Sequence, residues 1–269
     1  MKTAQNSSLN KLGKTLAVPL SRLLANSKTE NLIRLFEAYL AILLGKGAGT
    51  GWALQAEVSA AKHFIKTSTP LVFDVGANNG NWSCFIRKEY PQSKIFLFEP
   101  LPACQKIIAD MNIPNSELIP MAVSSENGLT KLYITQASGI SSLHERNDSY
   151  FADRIFSAID VQTVMLDSVI ENYNLRNIDF VKMDIEGHEL EAMKGARKSL
   201  EKGIIKALSF EFGSGNINSR TYFRDFWKFL TPLGYKIYRI LPSTRLMHIR
   251  EYYEDCEYFR GVTNYIAAL

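Results

Sequence analysis

The chain has 269 residues, 46% of them hydrophobic and 22% charged, with a net charge of +4. That is globular composition, long enough for one full α/β core with a small appendage and too short for two large domains. Mild basicity without a stretch that interleaves aromatic and basic side chains argues against nucleic acid as a partner. Three cysteines at irregular spacing (Cys84, Cys104, Cys256) form neither a zinc pattern nor a disulfide framework, so a reducing cytoplasm is expected.

In chain order, residues 1–66 read as a helical extension broken near Pro19, Asn26 and the glycine-rich segment Gly45 to Gly51. Between Met1 and Thr29 stand Lys2, Lys11, Lys14, Arg22 and Lys28 with no acid, while Leu9, Leu12, Leu16, Leu20, Leu23 and Leu24 recur at helical spacing. Three readings of this basic amphipathic helix stay open: it folds over its own domain, rests on an anionic membrane as a peripheral contact, or is an organelle transit peptide. No apolar run reaches the ~18 residues that a membrane span needs. The glycine segment lacks a following Gly-Lys-Ser/Thr and follows a helix, which makes it a hinge rather than a phosphate loop.

From Pro70 the pattern changes to short apolar runs alternating with amphipathic stretches. Strands are expected at 71–75, 94–98, 117–123, 178–183, 204–212, 235–241 and 262–267, with helices at 82–90, 102–111, 189–201 and 222–230. Residues 131–135 and 161–164 alternate more strongly and read as edge or lid strands. Repeated strand–helix–strand units over residues 67–269 imply an α/β fold with a doubly wound, mostly parallel, seven-stranded sheet. Such sheets bind ligands beyond the C-terminal ends of their strands.

The first strand ends in Asp74-Val-Gly-Ala-Asn-Asn-Gly80 and runs directly into a helix. Gly76 and Gly80 let a ligand approach the main chain. A dinucleotide loop would carry a second glycine where Ala77 and Asn78 stand, which argues against a nicotinamide or nucleotide-sugar oxidoreductase. The acid ahead of the loop, Asp74, suits a ligand carrying an ammonium group. Glu99, before Pro100 at the end of the second strand, suits ribose hydroxyls. Lys182-Met-Asp-Ile-Glu-Gly-His-Glu189 then gathers acids and bases at one strand-to-helix turn.

Together, Val72 to Gly80, Phe98-Glu-Pro100, Ser141-Ser-Leu143, Leu166-Asp167, Lys182 to Glu189 and Phe210-Glu211 resemble the FkbM family of methyltransferases, over about residues 70–212 and in the family's order. Asn79 departs from the pattern, since the family more often has an apolar residue there. The resemblance implies a Rossmann-like class I methyltransferase that uses S-adenosylmethionine to methylate a hydroxyl of a sugar, glycolipid or secondary metabolite. It implies a cofactor pocket of Asp74, Gly76, Ala77, Asn78, Gly80, Glu99, Pro100 and Ala122, and an acceptor side of Ser141, Ser142, His144 and Glu211. An acceptor hydroxyl needs a base during attack. Asp184 is the first candidate, with Glu186 and His188 in reserve, His188 because its ordinary pKa lies near neutrality. Asp184 and Glu211 end adjacent strands and could hold Mg²⁺, but the family implies no metal and none is expected. Methylation of nitrogen or of a protein side chain, and a binding module that has lost its chemistry, are the alternatives.

Overall fold

The computed structural model describes residues 7–47, 54–135, 141–145 and 156–269. Within them, helices α1 (Ser7–Leu24), α2 (Glu30–Leu43) and α3 (Leu54–Ala61) precede β1 (Leu71–Val75), α4 (Asn81–Glu89), β2 (Lys94–Phe98), α5 (Pro102–Met111), β3 (Ser116–Ile119) and β4 (Ala122–Val123). Next come β5 (Gly128–Thr135), β6 (Ser141–Ser142), β7 (Phe156–Val164), α6 (Leu166–Asn172), β8 (Phe180–Met183), α7 (Glu189–Lys194), α8 (Arg197–Glu201) and β9 (Ala207–Gly213). The chain closes with α9 (Gly215–Ser219), α10 (Phe223–Leu230), β10 (Lys236–Ile240), β11 (Leu246–Ile249) and β12 (Val262–Ala268).

The main sheet has the order β11-β10-β12-β9-β8-β1-β2-β3. The five strands from β3 to β9 run parallel, and β12, β10 and β11 each pair antiparallel with their neighbours. Central strands buried on both faces read as apolar runs; β2 does so after Lys94, while Asp74 interrupts β1 and Lys182 interrupts β8. Alternate side chains serve opposite layers. Phe73 and Val75 of β1, with Phe96 and Phe98 of β2, join Leu166, Met193, Leu200 and Phe226 from α6, α7, α8 and α10. Val72, Ile95 and Leu97 instead meet Val58, Trp82 and Ile108 from α3, α4 and α5. The sheet is therefore doubly wound, as expected. Phe73 lies 5.2 Å and 5.3 Å from the ring centroids of Phe96 and Phe98, and burying each such side chain stabilises the fold by about 1.5–3 kcal/mol.

Several expectations change in detail. The sheet has eight strands rather than seven, because Leu246–Ile249 turns back on β10 through a hairpin closed by a Thr244 N–H to Leu241 carbonyl bond of 2.8 Å. The expected strand 117–123 stops at Ile119. Pro120 offers no N–H to continue the ladder, and Ala122–Val123 joins β5, β6 and β7 in a second, four-stranded sheet, β4-β7-β5-β6. The expected helix 189–201 divides at Gly195, where a Cβ would sit 2.0 Å from the Ser124 carbonyl oxygen. Helix α1 runs through Pro19 instead of breaking there; on an exposed helix the carbonyl freed by proline can bond to water. Helix α3, inside the stretch read as an extension, buries Val58, Ala60 and Ala61 in the core. The glycine segment keeps described residues only to Gly47, so the hinge reading of Ala48 to Gly51 falls outside them.

Candidate active site

One cleft, holding about 220 Å³ and open to solvent, lies beyond the C-terminal ends of β1, β2 and β8. The chain winds from β1 toward β2 and β3 on one side and returns to β8 and β9 on the other, so the cleft occupies the switch point where α/β sheets bind ligands.

Its floor is the loop after β1. The Gly76 and Ala77 N–H groups both donate to the Phe98 carbonyl at 3.0 Å, which pins the loop across β2. Gly76 has φ +77°, and a Cβ there would stand 2.0 Å from the Asp184 carbonyl oxygen. No side chain fits between these two backbones. Asn78, also left-handed at φ 49°, donates its N–H to Glu99 Oε2 at 2.7 Å. Gly76, Ala77 and Asn78 line the cleft, whereas Gly80 does not. Gly80 caps α4 in a left-handed conformation, which is what lets the loop turn into the helix. Asp74 is fully buried behind the loop, where it accepts a 2.7 Å bond from Ser83 Oγ and pairs with Lys182 Nζ at 3.4 Å. It braces the loop from behind and does not line the cleft.

Glu99 stands on the cleft wall beside Pro100, with only 4% of its surface exposed. Its two oxygens accept N–H bonds from Asn78 at 2.7 Å and Leu101 at 2.8 Å. Burial raises its pKa to about 7, although those two bonds pull the other way. Two buried polar atoms on the same wall, Trp82 Nε1 and Asn79 Oδ1, have no hydrogen-bond partner. A buried polar atom left unpaired costs about 1–3 kcal/mol, and both atoms are closed off from solvent. Ala122, Met121, Val123 and Leu132 add an apolar side.

The opposite wall is the turn after β8. The Asp184 N–H donates to the Val75 carbonyl at 3.1 Å, and its side chain, 38% exposed, reaches the cleft with Oδ2 3.4 Å from Lys182 Nζ. Lys182 is buried and also donates to the Gly76 carbonyl at 3.0 Å. Burial alone would lower its pKa, but the carboxylates of Asp184, Asp74, Glu57 and Glu211 outweigh it and hold the ammonium above its usual value. Glu186 lines the cleft from a left-handed backbone at φ 55°. Strain of this kind, on the order of 1–3 kcal/mol, is characteristic of functional turns. Glu189 folds back beneath the turn, where Oε1 accepts from the Ile185 and Gly187 N–H groups at 3.0 Å and 3.2 Å. Burial raises its pKa to about 7.

His188 does not line the cleft. Its ring sits between Ser124 Oγ at 3.0 Å and His144 Nε2 at 3.1 Å, and burial first, then His144, push its pKa down to about 4. It is a neutral link at pH 7. On the acceptor side, Ser141 and Ser142 line the cleft and Ser142 Oγ donates to the Glu186 carbonyl at 3.0 Å. His144 is set back against His188. Glu211, half-buried, lies behind the wall beside a narrow crevice of about 10 Å³ that Glu57, Lys182, Asp184 and Asn264 also line. Its pKa is raised well above the usual range by burial and then by Asp184 and Glu186. Among the described residues no group of three or more histidines, cysteines or acids is arranged to hold a metal ion.

Sequence reasoning gave no role to Lys182, Glu57 or Trp82. A lysine inside an otherwise apolar strand was a readable signal for the first. Glu57 carries no signal, because only the packing of α3 against the sheet brings it to Lys182.

The family model for the FkbM methyltransferase domain matches residues 74–237. The chain belongs to the FkbM methyltransferase family. Three relatives are similar to this FkbM chain. Methyltransferase sdnD of Sordaria araneosa is 32% identical over 157 residues, covering 48% of this chain and 61% of that protein. The 2-O-methyltransferase NoeI of Sinorhizobium fredii is 26% identical, covering 51% and 62%. The hexuronic acid methyltransferase AglP of Haloferax volcanii is 24% identical, covering 49% and 52%. The chain thus spans less than two thirds of the length of each. The FkbM match holds the glycine loop, Glu99, Ser141, Ser142 and the Asp184 turn, while α1, α2, α3 and Glu57 precede it.

Proposed function

We propose that the protein transfers a methyl group from S-adenosylmethionine to a hydroxyl of a sugar, glycan or secondary metabolite. The observation that carries this reading is that the glycine loop, Glu99 and Asp184 meet in one cleft. The residues fit the cofactor: Glu99 has lone pairs left for ribose hydroxyls, the glycine loop lets the methionine moiety approach the main chain, and the apolar side suits a purine. When bound, the cofactor supplies a methyl group on an already activated sulfonium. Loop, carboxylate and apolar wall then serve to align and to keep water out. Asp184 accepts the acceptor's proton during attack, Lys182 holds that carboxylate in place, and Ser141 and Ser142 orient the acceptor. A sugar hydroxyl is favoured because relatives are named as a 2-O-methyltransferase and a hexuronic acid methyltransferase. Reaction at nitrogen has no comparable support.

Titration calorimetry of the purified protein with S-adenosylhomocysteine tests the cofactor. Saturable binding is expected, weakened about 10–100-fold in Glu99→Ala, since a buried hydrogen bond to a charged group contributes roughly 1.5–3 kcal/mol. Binding is also expected to disappear in Gly76→Arg, with none to NAD in either case. No binding by folded wild-type protein, or undiminished binding by both variants, would overturn the assignment.

A further inference from the structure

The two N-terminal helices are inside out. A helix lying on a globular domain normally turns its apolar stripe inward, but α2 is tied to the body by polar groups and small residues. Tyr258 donates its hydroxyl to Glu37 Oε1 at 2.8 Å, Arg260 Nη2 donates to the Arg34 carbonyl at 2.8 Å, and Ala41 is the helix's buried residue. The outward side carries Leu32, Leu35, Phe36, Tyr39, Leu40 and Leu43, with Leu32, Leu35 and Phe36 each at least 65% exposed. In α1 the described side chains from residue 13 onward are all exposed, including Leu16, Leu20 and Leu23. Contiguous apolar surface of this extent marks a docking face.

Charge selects the occupant. Residues 1–29 contain five lysines and arginines and no acid, and the described ones, Lys14, Arg22 and Lys28, are exposed. A second copy would bring the same positive charge against it, which opposes pairing through this face. A lipid surface bearing anionic headgroups satisfies both features, since leucines and phenylalanine enter the acyl boundary while lysines and arginines meet phosphates. Length agrees. The 14 residues of α2 extend about 21 Å, and no described helix is long and apolar enough to cross a bilayer. We infer that α1 and α2 form an interfacial arm that docks the protein on an anionic membrane. The inference does not depend on the reaction proposed above.

Co-sedimentation of the full-length chain with vesicles tests this. One vesicle population is phosphatidylcholine alone, and the other carries phosphatidylglycerol in a third of its lipid. Binding to the anionic vesicles is expected to exceed binding to the neutral ones by about tenfold or more. Loss of about tenfold is expected in each of two variants, Leu35→Asp/Phe36→Asp and Lys14→Glu/Arg22→Glu. Both alter exposed side chains, so thermal melting should match wild type. Absence of binding to either vesicle would overturn the inference. So would binding indifferent to headgroup charge, or a dimer by light scattering that Leu35→Asp/Phe36→Asp dissolves.

Discussion

Lys182→Met is expected to destabilise the fold by about 3–5 kcal/mol in urea unfolding, the range measured when one partner of a buried ion pair is removed. Lys182 is 5% exposed, and Asp74, whose Oδ1 it faces at 3.4 Å, is wholly buried. Without the ammonium, Asp74 keeps the Ser83 hydroxyl, and Glu57 and Glu211 lose a cation whose charge opposes theirs. The Gly76 carbonyl loses its 3.0 Å donor as well, so the floor of the cleft should loosen and S-adenosylhomocysteine affinity fall with stability. A second substitution separates charge from packing. Asp74→Asn on the Lys182→Met background should restore part of the loss, because the uncompensated carboxylate is gone. A loss below about 1 kcal/mol in Lys182→Met would mean that the surrounding acids need no cation in the folded protein.

Asp184→Asn is expected to lower kcat by about 10²–10⁴, the contribution of a positioned general base, while S-adenosylhomocysteine binding stays within about threefold. The measurement is the initial rate of methyl transfer to the fastest acceptor found in a panel of hexuronides and other glycosides. Glu186→Gln, on the same wall but on a strained backbone, is the comparison. If Asp184→Asn keeps kcat within about tenfold while Glu186→Gln loses more, the base is Glu186. His188→Gln should change kcat far less than either, since the ring lies outside the cleft and is already neutral at pH 7.

How much of this was legible follows from how local each signal is. The runs Leu71 to Val75, Lys94 to Phe98 and Phe180 to Met183 announce buried parallel strands because their neighbours demand apolar side chains on both faces. The glycine loop and the acids at successive strand ends could be read as a pocket because a parallel sheet puts the C-terminal ends of its strands on one rim. What failed to show depends on chain segments far apart. His188 looked like a base from its ordinary pKa, but Ser124 and His144 bury it from positions 64 and 44 residues away. Gly195 leaves room for the Ser124 carbonyl, which only the tertiary structure reveals, and Leu246–Ile249, half exposed at the sheet edge, lacks the apolar density of a central strand. Asp74 was read as facing a ligand, and only the tertiary structure reveals Ser83 and Lys182 as its partners.

The root of the N-terminal arm is held mainly through its main chain. Arg260 grips the Arg34 carbonyl, Arg239 Nη1 donates to the Leu44 carbonyl at 3.1 Å, and Thr263 Oγ1 accepts from the Gly47 N–H at 3.0 Å. Every residue type offers a carbonyl, and all but proline offer an N–H. The arm's outward side chains are therefore free to diverge among descendants without changing the angle at which it leaves the sheet. Its direction is inherited with Arg239, Arg260 and Thr263, and its surface chemistry can be retuned separately.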